Sequence, residues 1–339
     1  MERPMNRPFS PARPRAGLGL AARSKALLAQ LWRTDAALTG AGLLLLGALA
    51  VSLVGLWVDP RTITGAPAWL KPAKFAISTA IYCFTLAWIF THLPGWTRTR
   101  RVAGQATAAA LVLEVALIDL QAWRGTTSHF NVGTPFDAAV FAVMGLTILA
   151  QTAMAAAVAV ALWRHAFAAR AMGWALRLGL SISIVGAATG GLMTRPTDVQ
   201  LAEARETSRV TVFGAHTVGA PDGGPGLPGT GWSRENGDLR VPHFLGLHAM
   251  QFLPLLALAL GRRRWPETTQ VRMTLTAAAS YGALFALLLW QALRGQPLVK
   301  PDGLTIATLV MWLAVTVAAA WIALPRSERV QPNALAFLR

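Results

Sequence analysis

Long apolar runs separated by short charged segments set the pattern of this chain. Eight runs are long enough to span a bilayer: about 36–58, 72–93, 103–123, 138–163, 173–194, 243–261, 273–294 and 304–324, each near the ~20 residues a helix needs to cross the hydrocarbon core. The apolar/polar alternation of a membrane barrel is absent, so each run predicts an α-helix, the element that satisfies its own backbone polar groups in lipid. The expected fold is all-α: a polytopic transmembrane helix bundle of about eight spans over 36–325, between terminal tails 1–35 and 326–339. With 54% hydrophobic and only 14% charged residues, the composition leaves little polar surface for a soluble domain of any size.

Charge then orients the bundle. The tail 1–35, the connections around 94–102, 164–177 and 262–272, and the tail from 325 hold twenty Lys and Arg against Glu2, Asp35, Glu267 and Glu328, whereas the other side holds eleven basic residues against nine acids. The bias repeats in every connection, which predicts both termini in the cytoplasm. It also accounts for the net charge of +16. The excess is spread over short loops facing anionic lipid and is not gathered on one face, so the expected partner is the bilayer and nucleic-acid binding is excluded.

The N-terminal tail begins with a Pro/Arg-rich stretch whose composition predicts disorder. Leu20, Leu27, Leu28 and Leu31 follow at helical spacing, with Arg23, Lys25 and Arg33 between them, and predict an amphipathic helix on the cytoplasmic membrane surface. The charged region is too long for a secretory signal peptide. Cys83 is the single cysteine, so no internal disulfide can staple the loops.

The connection 195–242 differs from the rest. It is long, contains "GAPDGGPGLPGTGW" and faces outward on this topology. No G-x-x-x-x-G-K-[ST] occurs in it, which removes a phosphate loop. "TDVQLAEARETSRV" predicts a short helix capped by Thr197 or Asp198, and the whole segment predicts a partly ordered cap.

Titratable groups at membrane depth carry the candidate chemistry. The third span holds Glu114, Asp119 and Gln121; below Arg124, Asp119 lies about 7.5 Å deep and Glu114 about 15 Å at ~1.5 Å per residue. Glu114 and Gln121 share a face, while Asp119 stands about 140° away, so the third span should be central. In the sixth span, His248 lies about 7.5 Å below His243 and shares a face with Gln251. The similar depths predict that Asp119 and His248 meet as an acid/base pair, with Glu114 as a third catalytic residue. Gln121, Arg124, Asn131, Arg195 and Gln251 would line the substrate.

His129, His243 and His248 are the candidate metal ligands, so the cofactor expected is a metal ion or haem. The spacing of five between His243 and His248 turns them about 140° apart, which requires His243 to bend back or His129 to supply the second ligand. Ser128, Asp137, Thr194, Asp198, Lys71, Lys74 and His216 fall near the same outer level. Each has a plainer reading taken singly: Lys71 and Lys74 can snorkel, and Gly186 with Gly190 can form a close packing face. Their coincidence on one side is what predicts an outward-facing His/carboxylate pocket between the third and sixth spans, in a metal- or haem-dependent membrane enzyme. A small-solute transporter, or a sensor or assembly subunit, fits the same pattern; against transport stand the missing internal repeat and a cytoplasmic half nearly empty of titratable groups.

The set Ser128, His129, Asp119, His243 and His248 resembles the alkaline ceramidase superfamily of membrane zinc hydrolases, with a final histidine pair spaced five instead of four and eight spans instead of seven. The wider combination "WLKPAKF", "QAWRGTTSHFN", "GLMTRPTD" and "WSRENGDLRVPHFLGLHAMQ" resembles a group of bacterial multi-pass integral membrane proteins with no assigned reaction. That resemblance covers most of the membrane region and implies a multi-span fold in the bacterial inner membrane.

Overall fold

The computed structural model describes residues 19–325; the stretch expected to be disordered and the C-terminal tail lie outside the described residues. Helix α1 (Leu20–Thr34) precedes α2 (Ala36–Val58), and the elbow is fixed by Asp35, whose carboxylate accepts from the Leu38 N–H at 2.9 Å as an N-cap. A short hairpin of β1 (Thr62–Ile63) and β2 (Ala66–Pro67) leads into α3 (Leu70–Phe90). Its turn residues Thr64 and Gly65 both have positive φ, the backbone a tight hairpin demands. Next come α4 (Thr97–Trp123) and α5 (Pro135–Arg164), the latter capped by Thr134 with proline in its first turn. They are followed by α6 (Arg170–Ala188), α7 (Gly190–Met193) and α8 (Asp198–Thr207), where Thr197 and Gln200 form a reciprocal capping box. The strands β3 (Thr217–Val218) and β4 (Gly237–Asp238) pair antiparallel before α9 (Arg240–Leu247), α10 (Ala249–Gly261), α11 (Glu267–Leu293) and α12 (Gly303–Ala323).

Seven of these helices are long and apolar enough to cross a membrane, and α9 with α10, bent by 41° where they join, passes the same test as a pair and would bring the number to eight if the pair is one span. The protein is thus an all-α bundle with the architecture of a multi-pass membrane protein. Most leucines and valines of α2 and α12 are exposed, Leu38 and Leu45 of α2 being buried, as on lipid-facing surfaces.

The bundle has two parts. In the first, α4 packs against α2, α3 and α5; in the second, α6 packs against α9, α10 and α11, and α12 lies on α11. Helix α6 also touches α5 and so joins them. The expected central position of the third span holds within the first part only, because α9 and α10 lean chiefly on α6 and α11.

The bend at His248 is stabilised by its neighbours. The Ser183 hydroxyl donates to the Leu247 carbonyl at 3.0 Å and the Tyr281 hydroxyl to the Leu245 carbonyl at 2.6 Å. Carbonyls loosened at a break in apolar surroundings need such donors.

Residues 195–239 form an ordered cap at the end of the bundle where α2, α4 and α11 finish. Lys74 Nζ donates to the Thr230 carbonyl at 2.9 Å, and Asn131 pairs with Val212 in an antiparallel bridge. Gly237 sits so close to the end of α11 that a Cβ would lie 2.0 Å from the Ala292 carbonyl oxygen. Only glycine allows that approach.

Candidate functional site

The cap and the first turn of α3 bring together a group of titratable side chains that are far apart in sequence. Helix α4 places Glu114 at 2% exposure, facing the segment 124–134 that links α4 to α5. From that segment His129 points its Nε2 at Glu114 Oε1, 3.6 Å away, while its Nδ1 meets the Ser128 hydroxyl at 3.1 Å. The other carboxylate oxygen of Glu114, Oε2, is buried without a hydrogen-bond partner.

The adjoining Phe130 holds this corner. It has a φ of 63°, an uncommon backbone for a non-glycine residue, and its ring stands edge-on against His129, His216 and Phe141. Gly214 of the cap makes room, since a Cβ there would collide with the Met193 carbonyl oxygen at 2.4 Å and with the Phe130 ring.

Lys71, one residue into α3, lies with its ammonium 5.8 Å from the centre of the Phe75 ring and interacts electrostatically with Glu114 and Asp222. It donates no hydrogen bond within the described residues. Lys74, one turn on, is used by the cap instead.

The cap contributes His216 and Asp222. His216 Nδ1 is 2.6 Å from Asp222 Oδ2, and the same carboxylate accepts the backbone N–H groups of His216 and Thr217 at 2.9–3.0 Å. A carboxylate under three donors lies well below its usual range, and the Asp222 carboxyl is lowered for this reason although burial works the other way. Burial outweighs the pull of Asp222 on His216, whose pKa is lowered below 6.5. His129 is lowered well below 6.5 by burial and by the charge of Lys71. Both rings are therefore neutral at pH 7. Because Asp222 only accepts, His216 carries its proton on Nδ1 and presents a basic Nε2.

Helix α9 supplies the third imidazole. His243 Nδ1 lies 2.9 Å from the Gly186 carbonyl oxygen and 3.2 Å from the Thr189 hydroxyl. A carbonyl fixes the same tautomer, so His243 also presents a basic Nε2. Its ring acts electrostatically on His129 and His216, which places the three imidazoles, Glu114 and Lys71 in one cluster under the cap.

Of the expected site residues, Glu114, His129 and His243 join this cluster. Asp119 and His248 do not meet: Asp119 is half-buried with Oδ1 unpartnered, whereas His248 stacks edge-on against Phe244 at 4.3 Å. The reason is packing, since α4 and α10 belong to different parts of the bundle. Gln251 reaches the Thr85 hydroxyl at 3.3 Å.

Gln121 and Arg124 tie α4 to α5. Gln121 Nε2 donates to Asp137 at 2.8 Å, Arg124 bonds Asp137 and Gln121, and Thr134 donates to the second oxygen of Asp137 at 2.6 Å. Asn131 shapes its own loop through Thr126 and the Gly133 N–H. Arg195 is exposed. These four hold no place in the cluster. Among the described residues no three His, Cys, Asp or Glu side chains stand close enough to share a metal ion, so the expected ligand set His129, His243 and His248 is not assembled.

Lys71 and His216, which the sequence placed near the same outer level without a role, also join the cluster; Asp222 is the member sequence reasoning left out. Lys74, which the sequence alone would let snorkel, donates to the Thr230 carbonyl of the cap.

Comparison with protein-family models, with curated proteins and with solved structures returns no match. The geometry of the cluster therefore carries the functional argument.

Proposed function

We propose that the protein is an enzyme of the bacterial inner membrane, with both termini in the cytoplasm, that performs general acid–base catalysis on a polar group admitted beneath the outward-facing cap. One observation carries this reading: Glu114 Oε2 is buried without a hydrogen-bond partner, and Lys71, opposite in charge and within electrostatic reach of it, donates no hydrogen bond among the described residues. Polar groups at such depth cost free energy unless satisfied. A fold that keeps two of them beside basic imidazole nitrogens has them available to move protons. Glu114 and Lys71 would exchange the proton with substrate, and His216 and His243 would accept hydrogen bonds or protons at Nε2.

The test separates function from stability. Replacing a buried pair of opposite charges by apolar residues of similar volume is often neutral or stabilising by ~1–4 kcal/mol. The double variant Lys71→Met, Glu114→Leu is expected to unfold in detergent at or above the wild-type temperature. It should also leave unconsumed at least one species that the wild type depletes from a polar metabolite and lipid extract, as followed by mass spectrometry. A double variant that melts well below wild type and consumes the same species would make the pair structural.

A metal ion or haem iron is the second reading. It is favoured by the tautomers of His216 and His243, each with Nδ1–H given to a carboxylate or carbonyl and Nε2 free, the arrangement of metal-bound imidazoles. Elemental analysis and an absorption spectrum of the purified protein decide it.

A further inference from the structure

The opposite end of the bundle carries a second, separate site. Helix α5 ends at Arg164 and α6 begins at Arg170, and beside their connection lies a cleft of about 200 Å³ lined by Phe167, Arg170, Trp174 and Arg177. Arg177 is fixed within it. Its Nε donates to the Leu162 carbonyl at 3.0 Å and its Nη2 to the His165 carbonyl at 2.8 Å. The guanidinium carbon stands 5.2 Å from the ring centre of Phe167, 5.5 Å from Trp174 and 5.8 Å from Trp163. Gly173 lets Phe167 lie against α6, since a Cβ would come within 2.8 Å of its ring. Nη1 makes no hydrogen bond, and Arg177 forms no ion pair within the described residues.

Two guanidinium groups, those of Arg170 and Arg177, line the cleft. Arg177 is seven residues into a spanning helix, about 10 Å along its axis, at the level where tryptophans favour the membrane–water boundary. A cation there ordinarily pairs with an acid or with backbone carbonyls; Arg177 has carbonyls on Nε and Nη2 and leaves Nη1 for a further acceptor. The acid beside the cleft, Glu267, is taken up at the backbone N–H of Arg170, 3.0 Å away. The side chain of Arg170 is exposed at the rim, and Arg164, Arg262 and Arg264 add positive charge in the neighbouring connections.

We propose that this cleft binds the phosphodiester headgroup of an anionic phospholipid. Arg177 Nη1 and the Arg170 guanidinium would hold the phosphate, and the aromatic rings would flank the glycerol and first acyl carbons. The depth, the aromatic walls and the position between two spans select a lipid over a free anion. The inference is independent of which end of the bundle faces the cytoplasm and of the chemistry under the cap.

The experiment is native mass spectrometry of the full chain in detergent, titrated with phosphatidylglycerol, phosphatidylcholine or inorganic phosphate. Phosphatidylglycerol should be retained in preference to phosphatidylcholine. A basic residue near the membrane surface contributes ~1 kcal/mol, so Arg170→Gln should weaken retention about fivefold, and Arg177→Met more strongly still. Inorganic phosphate at millimolar concentration should not displace the lipid. Equal retention of both lipids, unchanged retention in Arg170→Gln, or displacement by inorganic phosphate would each overturn the proposal. Arg170 is exposed and its backbone contact to Glu267 survives substitution, so that variant decides the matter even if Arg177→Met fails to fold.

Discussion

Gly186 on α6 and Gly246 on α9 meet backbone to backbone, so that a Cβ on either would lie 2.5 Å from the Cα of the other. The contact sets the position of His243, which bonds the Gly186 carbonyl from one turn away. Small residues at helix crossings allow such approach in membrane bundles. Gly246→Val should cost at least the ~1–3 kcal/mol typical of overpacking and draw His243 away from the cluster. Thermal unfolding in detergent measures the loss, with Ser183→Ala as a milder control that removes one hydrogen bond at the same crossing. An unchanged melting temperature for Gly246→Val would mean that the helices part without penalty.

The cap should loosen in acid. His129 and His216 have pKa values lowered below 6.5 in the folded protein, so folding favours their neutral forms. Their contribution is fully present above the unfolded value of about 6.5 and is lost as pH falls toward the lowered folded values. Asp222, also lowered, adds a loss of the same sign below its unfolded value near 3.9. Hydrogen exchange of the amides of His216 and Thr217 should quicken, relative to the intrinsic rate, between pH 7 and pH 5. Constant protection across that range would remove the histidines from the stability of the cap.

Most of the fold was legible in the sequence because spans are counted by length and apolarity: all eight runs are helical with ends within six residues of those expected, the sixth as two helices bent at His248. The capping of α8 was legible too, since Thr197 carries its own signal. The site was legible in part. Glu114, His129 and His243 could be found because each is a costly group at predictable depth. Their partners could not be read, because depth along a helix says nothing about which helices touch: Asp119 and His248 share a level yet lie in different parts of the bundle. Lys71 and His216 could be placed at the outer level but given no role, and Asp222 was hidden, for another reason. A loop with no periodicity gives no register, and only the folded cap brings His216 and Asp222 over the first turn of α3.

Orientation has a direct test. Gly224 and Arg262 are both exposed, at opposite ends of the bundle, and a Cβ at Gly224 meets nothing within 4 Å. In a Cys83→Ser background, Gly224→Cys should react with an impermeant thiol reagent in intact cells and Arg262→Cys only after the membrane is opened. The reverse pattern would turn the cap toward the cytoplasm.

Two aspartates of opposite circumstance give the last prediction. Asp222 accepts from two backbone N–H groups and from the His216 ring, whereas Asp119 has a buried oxygen that accepts from nothing. Removing an acceptor strands its donors, at about 1–3 kcal/mol for a buried group. Asp222→Ala should therefore melt earlier than wild type and expose the cap to trypsin at Arg209 and Arg234. His216→Gln should expose it too, and because the two side chains act through one contact, the double variant should be little worse than Asp222→Ala alone. Asp119→Asn removes a charge that nothing compensates, so it should melt at or above the wild-type temperature, and His248→Gln should lie close to wild type. Strong destabilisation by Asp119→Asn with tolerance of Asp222→Ala would invert the assignment and return the weight of the site to the third and sixth spans.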